Sequence, residues 1–262
     1  MSRPKLLLTN DDGINAPGIA ALAKAVKSIG DTYIVAPISE MSAMGHAITL
    51  SDPIKMVEIS KNGDFFGYGI GGTPSDCVKL AIHGKIIPRP DLVISGINQG
   101  ANLGIDIIYS GTVAGAYEGS VLGVPSMAIS LNSFTRRDFT PAAHFAKYFA
   151  EKILKQGLPK GTLLNINVPD AELDEITGIE VVRQGQAEYH ERFDRRLDPR
   201  QRVYFWLSGN REYKDTSPDL DEIAIQSKKV TVTPIKYDLT NFEMLNTIKS
   251  WNLNMQDVQQ HE

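Results

Sequence analysis

Cysteine is nearly absent from this sequence of 262 residues, since Cys77 is the single one. One cysteine excludes an internal disulfide framework and most cysteine-based zinc sites. Long apolar runs are also missing: residues 6–8 form an isolated leucine triplet, whereas a signal peptide needs about 7–15 apolar residues and a membrane helix about 20. The net charge of −4 offers no broad basic surface for nucleic acid. We expect a cytoplasmic protein whose partners include neither a membrane nor a nucleic acid.

Two widespread phosphate and hydrolase motifs are missing as well. The sequence has neither G-x-x-x-x-G-K-[ST] nor G-x-S-x-G, which argues against a P-loop nucleotidase and against an α/β-hydrolase. Gly67, Gly69 and Gly72 match G-x-G-x-x-G, but no buried apolar strand precedes them and no acid follows at the ribose position. We interpret these glycines as a flexible turn.

Short apolar strands alternate with helical segments over the first two thirds of the chain. The pattern predicts strands at residues 6–8, 33–36, 91–95, 126–131 and 162–168. It predicts helices from Pro17 to a C-cap at Gly30, and over residues 74–83, 112–122 and 141–156. Repeated β-α-β units imply a mostly parallel sheet with helices on both faces. We therefore predict an α/β core over residues 1–170.

Residues 171–262 have a different pattern and are predicted to form a C-terminal extension. Strands are expected at 203–207 and at 229–235, where Pro234 stops the second, and a helix is expected at 242–251. The charged stretch 184–211 is long for a simple connection. It is either a protruding arm or an ordinary surface loop.

Oxygen-bearing side chains follow three of the predicted strands. Asp11 and Asp12 follow the first, Ser42 follows the second and Asn98 follows the third. Because ligands bind at the carboxyl ends of strands in open α/β sheets, these side chains are expected to converge. Carboxylate, hydroxyl and amide oxygens suit Mg²⁺, Mn²⁺ or Ca²⁺ better than zinc or copper. The alternative is that residues 11–13 are merely a turn.

A second group of polar residues opens the helix predicted near residue 112. Ser110 or Thr112 can cap that helix, and Gly111 lets a ligand approach the backbone. Unpaired N–H groups at a helix N-terminus bind phosphate, although plain helix capping explains the same residues. His46 lies in a segment near these groups and is a candidate acid.

Taken together, these blocks resemble the SurE family of metal-dependent survival-protein nucleotidases. The resemblance spans nearly the whole chain, and the matching segments include Ser42, Leu50 and residues 8–13, 16–18, 35–37, 72–78, 95–104, 109–116, 198–200, 232–234 and 238–240. Two departures stand out. Ala43 occupies a position where the family usually has glycine, and so does Gln201.

The resemblance implies one divalent cation per subunit, Mg²⁺, Mn²⁺ or similar, with ligands at Asp11, Asp12, Ser42 and Asn98. It implies hydrolysis of nucleoside 5′- and 3′-monophosphates, with short polyphosphate as a substrate of some members. It also implies a three-layer Rossmann-like fold. The C-terminal β-rich extension, including the arm, would then be exchanged between subunits to build a homodimer or homotetramer.

From the residues and the resemblance we predict a phosphomonoesterase that uses metal-activated water. Asp11 or Asp12 would orient the water or accept its proton. Four further residues would hold the substrate phosphate: Asn102, Ser110, Gly111 and Thr112. Two alternatives stay open at this point. One is an aspartyl-phosphate phosphatase, and the other is a non-enzymatic, receiver-like Mg²⁺-binding domain.

Overall fold

The computed structural model describes residues 3–255, so the extreme ends of the two predicted regions lie outside the described residues. The strands are β1 (Lys5–Thr9), β2 (Asp31–Pro37), β3 (Met56–Lys61), β4 (Asp64–Ile70), β5 (Leu92–Gln99), β6 (Ser126–Asn132), β7 (Thr162–Pro169), β8 (Gly178–Val181), β9 (Glu188–Leu197), β10 (Val203–Glu212) and β11 (Lys229–Lys236). The helices are α1 (Pro17–Val26), α2 (Pro74–His83), α3 (Asp106–Tyr109), α4 (Gly111–Val121), α5 (Thr140–Gln156), α6 (Asp221–Ala224) and α7 (Phe242–Ser250), with a 3₁₀ turn at Ile225–Ser227.

Nine of these strands form one sheet in the order β3-β4-β2-β1-β5-β6-β7-β11-β8. The six central strands from β4 to β7 run parallel, β3 and β11 run antiparallel to their inner neighbours, and β8 pairs parallel with β11. The predicted α/β fold with a mostly parallel sheet is therefore confirmed. Strands β8 and β11 come from the C-terminal part of the chain and extend the same sheet.

The leucine triplet of β1 explains why helices cover both faces. Leu6 and Leu8 are fully buried in a cluster that also contains residues of α1 and α5, whereas Leu7 is fully buried in a second cluster with residues of α2. Successive strand residues point to opposite faces, so an uninterrupted apolar run requires cover on both. This packing gives the three predicted layers.

Three local predictions are wrong. Helix α1 ends at Val26, not at Gly30. Gly67 and Gly69 lie in strand β4 instead of a turn; a Cβ at Gly67 would lie 2.6 Å from the carbonyl oxygen of Ile34 on β2, so the glycine permits close strand pairing. Pro234 does not stop β11, which continues to Lys236. The pairing of β11 with β8 ends at Val232, so the missing N–H of proline removes no bond on that side.

Residues 188–212 form a separate two-stranded antiparallel hairpin, in which Glu188 pairs with Glu212 and Leu197 with Val203. The segment is thus regular structure and not an irregular loop. Large apolar side chains are exposed along it, including Phe193, Phe205, Trp206 and Leu207. Within residues 3–255, no helix has both the length and the apolar character needed to cross a membrane.

Candidate active site at the ends of β1 and β5

The site lies where the order of strands reverses. From β1 the chain continues to β2 on one side, and β5 pairs with β1 on the other side. Such a reversal opens a crevice at the carboxyl ends of the strands. Asp11 and Asp12 follow β1 directly, and Asn98 is the next-to-last residue of β5.

A cavity of about 260 Å³, lined mostly by polar residues, occupies this crevice. Its lining brings together five of the eight sequence-predicted site residues, namely Asp11, Ser42, Asn98, Asn102 and Ser110, together with Asp106, Tyr109 and Phe134 among others. The other three predicted residues are not part of this lining. Each of them still contacts or adjoins a residue of the site.

Asp11 is the most enclosed of the acids, with 4% of its surface exposed. Thr112 donates both its hydroxyl and its backbone N–H to the Asp11 carboxylate. Gly111 makes this approach of α4 feasible, because a Cβ at that position would lie 2.8 Å from the Asp11 Cβ. Gly111 and Thr112 therefore fix Asp11 against the start of α4.

Asp12 is half-buried, and its Oδ2 accepts a hydrogen bond of 3.3 Å from the backbone N–H of Gln99. Burial raises the pKa of Asp11 in spite of the hydrogen bonds from Thr112. Burial, and then the neighbouring charge of Asp11, raises the pKa of Asp12 to about 6. Among residues 3–255, no basic side chain forms an ion pair with either aspartate. Two enclosed acids without a counter-charge are what a bound cation would stabilise.

The other two predicted ligands offer oxygen atoms to the same place. The Ser42 hydroxyl donates to Glu40 Oε1 at 2.7 Å, which leaves its oxygen lone pairs as ligand atoms. The Asn98 amide nitrogen donates to the carbonyl oxygen of Gly100 at 2.8 Å, so its side-chain oxygen is the available ligand. Carboxylate, hydroxyl and amide oxygens together form a hard donor set that fits Mg²⁺ or Mn²⁺.

The loop that carries Ser42 is held at both ends. Near Ser42, the backbone N–H of Met41 donates to the carbonyl oxygen of Asp11 at 2.8 Å. Farther along the loop, Asp76 at the start of α2 accepts from the backbone N–H and the hydroxyl of Thr49, at 2.9 and 2.7 Å. Asp76 also belongs to the capping box of α2, in which Thr73 is the N-cap. One buried carboxylate thus joins a helix start to the site loop.

A buried set of amides holds the loop that follows β5. The backbone N–H of Asn102 donates to Asn167 Oδ1 at 2.8 Å, and its carbonyl oxygen accepts from Asn165 and Asn167 at 2.8 and 3.1 Å. The Asn102 side chain donates to the Ser130 hydroxyl at 2.8 Å. Asn165 and Asn167 were not among the site residues predicted from the sequence. The one available signal was a pair of amides at alternate positions within an otherwise apolar strand.

His46 does not line the 260 Å³ cavity. Its Nε2 lies 2.9 Å from Oε2 of Glu118, a buried residue of α4 that also accepts from Lys79 at 2.6 Å. Burial by itself raises the pKa of Glu118, but the hydrogen bonds from His46 and Lys79 outweigh burial and lower it. His46 is thereby fixed at one ring nitrogen beside α4.

A different group of potential metal ligands lies on the hairpin. Ligand atoms of Glu188, His190 and Glu212 fall within 4.8 Å of one another, and all three residues are exposed. His190 already contacts Glu212 at 2.6 Å, and Lys214 contacts Glu188 at 2.7 Å. Both carboxylates of the trio thus already have a partner, whereas Asp11 and Asp12 have no basic partner in the described part of the chain.

The chain is similar to proteins of one known family. The family model described as "Survival protein SurE" matches residues 6–191. The chain belongs to the SurE family. The protein named "5'-nucleotidase SurE" of Syntrophobacter fumaroxidans is 47% identical over 249 residues, which cover 95% of this chain and 100% of that protein. The Syntrophus aciditrophicus protein of the same name is 48% identical over 248 residues, or 94% of this chain and 93% of its own.

A solved SurE structure has the same architecture. The crystal structure of the SurE protein from Aquifex aeolicus is 40% identical in sequence, with a TM-score of 0.83, and the match covers 95% of this chain and 100% of that one. Ala43 and Gln201, the two residues that stand where the family usually has glycine, share one backbone conformation in this SurE chain. Ala43 has φ of 57° and Gln201 has φ of 62°, a left-handed backbone that favours glycine.

Proposed function

We propose that this chain is a divalent-metal-dependent nucleotidase that hydrolyses nucleoside 5′-monophosphates to nucleoside and phosphate. The observation that carries the proposal is the cavity of about 260 Å³ that Asp11, Ser42, Asn98, Asn102 and Ser110 line together. Family membership, with curated relatives named 5'-nucleotidase SurE, supports the reaction class. Cleavage of 3′-monophosphates and of short polyphosphate extends the same proposal.

The start of α4 is suited to hold the substrate phosphate. The Ser110 oxygen accepts from the backbone N–H of Val113 at 3.0 Å, so the Ser110 hydroxyl proton can be donated to a phosphate oxygen. The backbone N–H of Gly111 is in the first turn, where helices leave donors unpaired. The Thr112 donors are directed to Asp11, so we assign Thr112 to orienting that carboxylate.

Asp11, Asp12, Ser42 and Asn98 would hold the cation. When bound, a divalent metal neutralises phosphoryl charge and lowers the pKa of a coordinated water. Asp11 is oriented by Thr112, and Asp12 by the N–H of Gln99. One of these two carboxylates would position the attacking water and accept its proton. Electrostatic stabilisation then comes from the helix terminus and the hydroxyl of Ser110.

The two alternatives from the sequence receive no support. A receiver-like domain would be about half the length of this chain, and the match to the SurE family runs from residue 6 to residue 191. An aspartyl-phosphate phosphatase would accumulate a phospho-aspartate. Trapping such an adduct during turnover would favour that mechanism over direct attack by water.

Metal removal tests the proposal. Protein treated with EDTA should release no phosphate from a panel of nucleoside monophosphates, and added Mg²⁺ or Mn²⁺ should restore release. Asp12→Asn should lose most activity, because it removes a metal-ligating charge, while the far-UV circular dichroism spectrum stays unchanged. Asp52→Asn, in an exposed part of the chain, is the matched control and should stay active. Turnover that is insensitive to EDTA would contradict the metal assignment.

The expected localisation, partners and oligomeric state extend the proposal. We propose a cytoplasmic homodimer or homotetramer that binds neither membrane nor nucleic acid, assembled through the β9–β10 hairpin. The exposed apolar side chains of that hairpin support the assembly.

A further inference from the structure

A second, larger cavity of about 650 Å³ shares the lining residue Ser110 with the 260 Å³ cavity at Asp11. From Ser110 the second cavity follows helix α4, where Val113, Ala114 and Tyr117 also line it. These residues are three, four and seven positions beyond Ser110, so they share one helical face. The cavity therefore starts at the N-terminus of α4 and runs along its first two turns.

The sizes of the two cavities indicate different roles. Pockets that bind small molecules usually measure about 300–1,000 Å³ and are mostly apolar with a few polar groups. The cavity at Asp11 is smaller than this range, at about 260 Å³, and the one along α4 falls within it. Its walls carry apolar side chains, including Ile107, Ile108, Ile235 and Leu239.

We propose that the cavity along α4 binds the nucleoside part of the substrate, with the phosphate at Ser110 and the base beside Tyr117 and His46. This inference rests on the proposed nucleotidase function. Because Ser110 lines both cavities, a substrate with its phosphate at Ser110 would have its sugar and base next to the cavity along α4. The enzyme would then prefer phosphate esters whose leaving group carries an aromatic base over phosphate monoesters in general.

The two rings near the far end of the cavity are held in place. The centroids of His46 and Tyr117 are 4.9 Å apart in an edge-to-face arrangement. His46 contacts Glu118 at 2.9 Å, and the Tyr117 hydroxyl donates to the carbonyl oxygen of Tyr237 at 3.0 Å. Rings fixed in this way form a preorganised apolar wall against which a base can stack.

Another pair of aromatics offers a competing position for the base. Tyr109 and Phe134 line the small cavity at its mouth, with exposed fractions of 59% and 81%. A base stacked there would stay largely in solvent. The cavity along α4 encloses more apolar surface, so it gains more from burial of the base.

Steady-state kinetics on two esters test the proposal. Adenosine 5′-monophosphate carries a base, and ribose 5-phosphate presents the same sugar phosphate without one. Tyr117→Ala should raise KM for adenosine monophosphate about tenfold, within the range for loss of base–aromatic stacking, and should leave KM for ribose 5-phosphate within about twofold. Tyr117→Phe keeps the ring and should stay near the unsubstituted protein.

Two further variants keep the test decisive if Tyr117→Ala does not fold. Ile108 is exposed and lines the cavity, so Ile108→Trp should obstruct it and raise KM for adenosine monophosphate selectively. Phe65→Ala is the matched control: Phe65 is an exposed aromatic in a cavity of about 560 Å³ that Thr32 and Tyr33, at the opposite end of β2, also line. It should change neither KM.

Three outcomes would overturn the proposal. In the first, Tyr117→Ala and Ile108→Trp leave KM for adenosine monophosphate unchanged. In the second, they raise KM for both esters equally. In the third, Phe134→Ala alone raises it, which would place the base at the mouth. If the unsubstituted protein cleaves neither ester with Mg²⁺ or Mn²⁺, the proposed function itself fails, and that result is distinct from the other three.

Discussion

The side chain of Asn167 makes two hydrogen bonds to the backbone of Asn102: it accepts from the N–H at 2.8 Å and donates to the carbonyl oxygen at 3.1 Å. Both residues are buried. Asn102 lines the 260 Å³ cavity, whereas Asn167 lies in strand β7. The amide of Asn167 thus fixes the path of the loop that carries Asn102.

We expect Asn167→Ala to reduce activity more than Asn165→Ala does. The first change removes both bonds to Asn102, and the second removes one bond to a carbonyl that Asn167 still pairs. Loss of a buried partner costs about 1–3 kcal/mol of stability. A displaced loop should also lower kcat, which single-turnover and steady-state assays can measure.

Thr231→Val provides the matched control. Thr231 is paired with Asn167 across the β7–β11 register, and its buried hydroxyl has no hydrogen-bond partner among the described residues. Replacement by valine should leave stability unchanged or higher, with normal turnover. Equal losses in all three variants would show that Asn167 acts only as a packing residue of the sheet.

Asp76 should make the stability of the protein sensitive to acid. Burial alone raises the pKa of Asp76, but the hydrogen bonds from Thr49 and Thr73 outweigh it and lower the pKa. A lowered pKa in the folded state means that Asp76 stabilises the fold above its unfolded value of 3.8 and loses this contribution as pH falls through the folded value.

We expect Asp76→Asn to lower the free energy of unfolding by about 1–2 kcal/mol at neutral pH. Asparagine keeps one acceptor, but its NH₂ group would face the donors of Thr49 and Thr73. Urea titrations from pH 7 to pH 3 should show the difference shrinking below about pH 4, because Asp76 becomes protonated first in the unfolded chain and at lower pH in the folded protein. Asp52→Asn should show no such difference, and a gap that widens in acid would contradict the assignment.

The sequence predicts the site better than it predicts the surroundings of the site. An all-apolar run before Asp11 requires a strand buried on both faces, and parallel strands bring their carboxyl ends to one edge. That reasoning places Asp11, Asn98 and Ser42 together without any knowledge of side-chain contacts. A different rule identified the N-terminus of α4, namely that unpaired N–H groups at a helix start bind phosphate.

The missed features depend on contacts between distant segments. Strand β4 contains Gly67 and Gly69 because the backbone of Ile34 approaches Gly67 closely, and glycine by itself predicts a turn. Pro234 is tolerated within β11 because β8, its neighbour on one side, has already ended there. Asn165 and Asn167 acquire a role only when the sheet register places them beneath Asn102, which is 63 and 65 residues away.

The hairpin should determine the oligomeric state. Trp206 on β10 is 59% exposed, so an aromatic side chain of this size on a two-stranded arm is available to a second copy of the chain. We expect light scattering to give two or four times 28.8 kDa for the unsubstituted protein, and Trp206→Ser to shift it towards monomer. Trp251→Ser, with 60% exposure near the end of α7, is the matched control. A monomeric unsubstituted protein would contradict the proposed assembly.

Gln201 should destabilise the turn of that hairpin. Its φ of 62° lies in the left-handed region, while its N–H donates to the carbonyl oxygen of Asp198 at 2.9 Å. Gln201→Gly relieves the conflict between the Cβ and the backbone, so the hairpin should gain about 0.5–1 kcal/mol. Gln201→Ala keeps the Cβ and should gain nothing. Because a hairpin can open without global unfolding, the measurement is hydrogen exchange of the β9 and β10 amides. Slower exchange in both variants would assign the effect to loss of the glutamine side chain and not to the backbone.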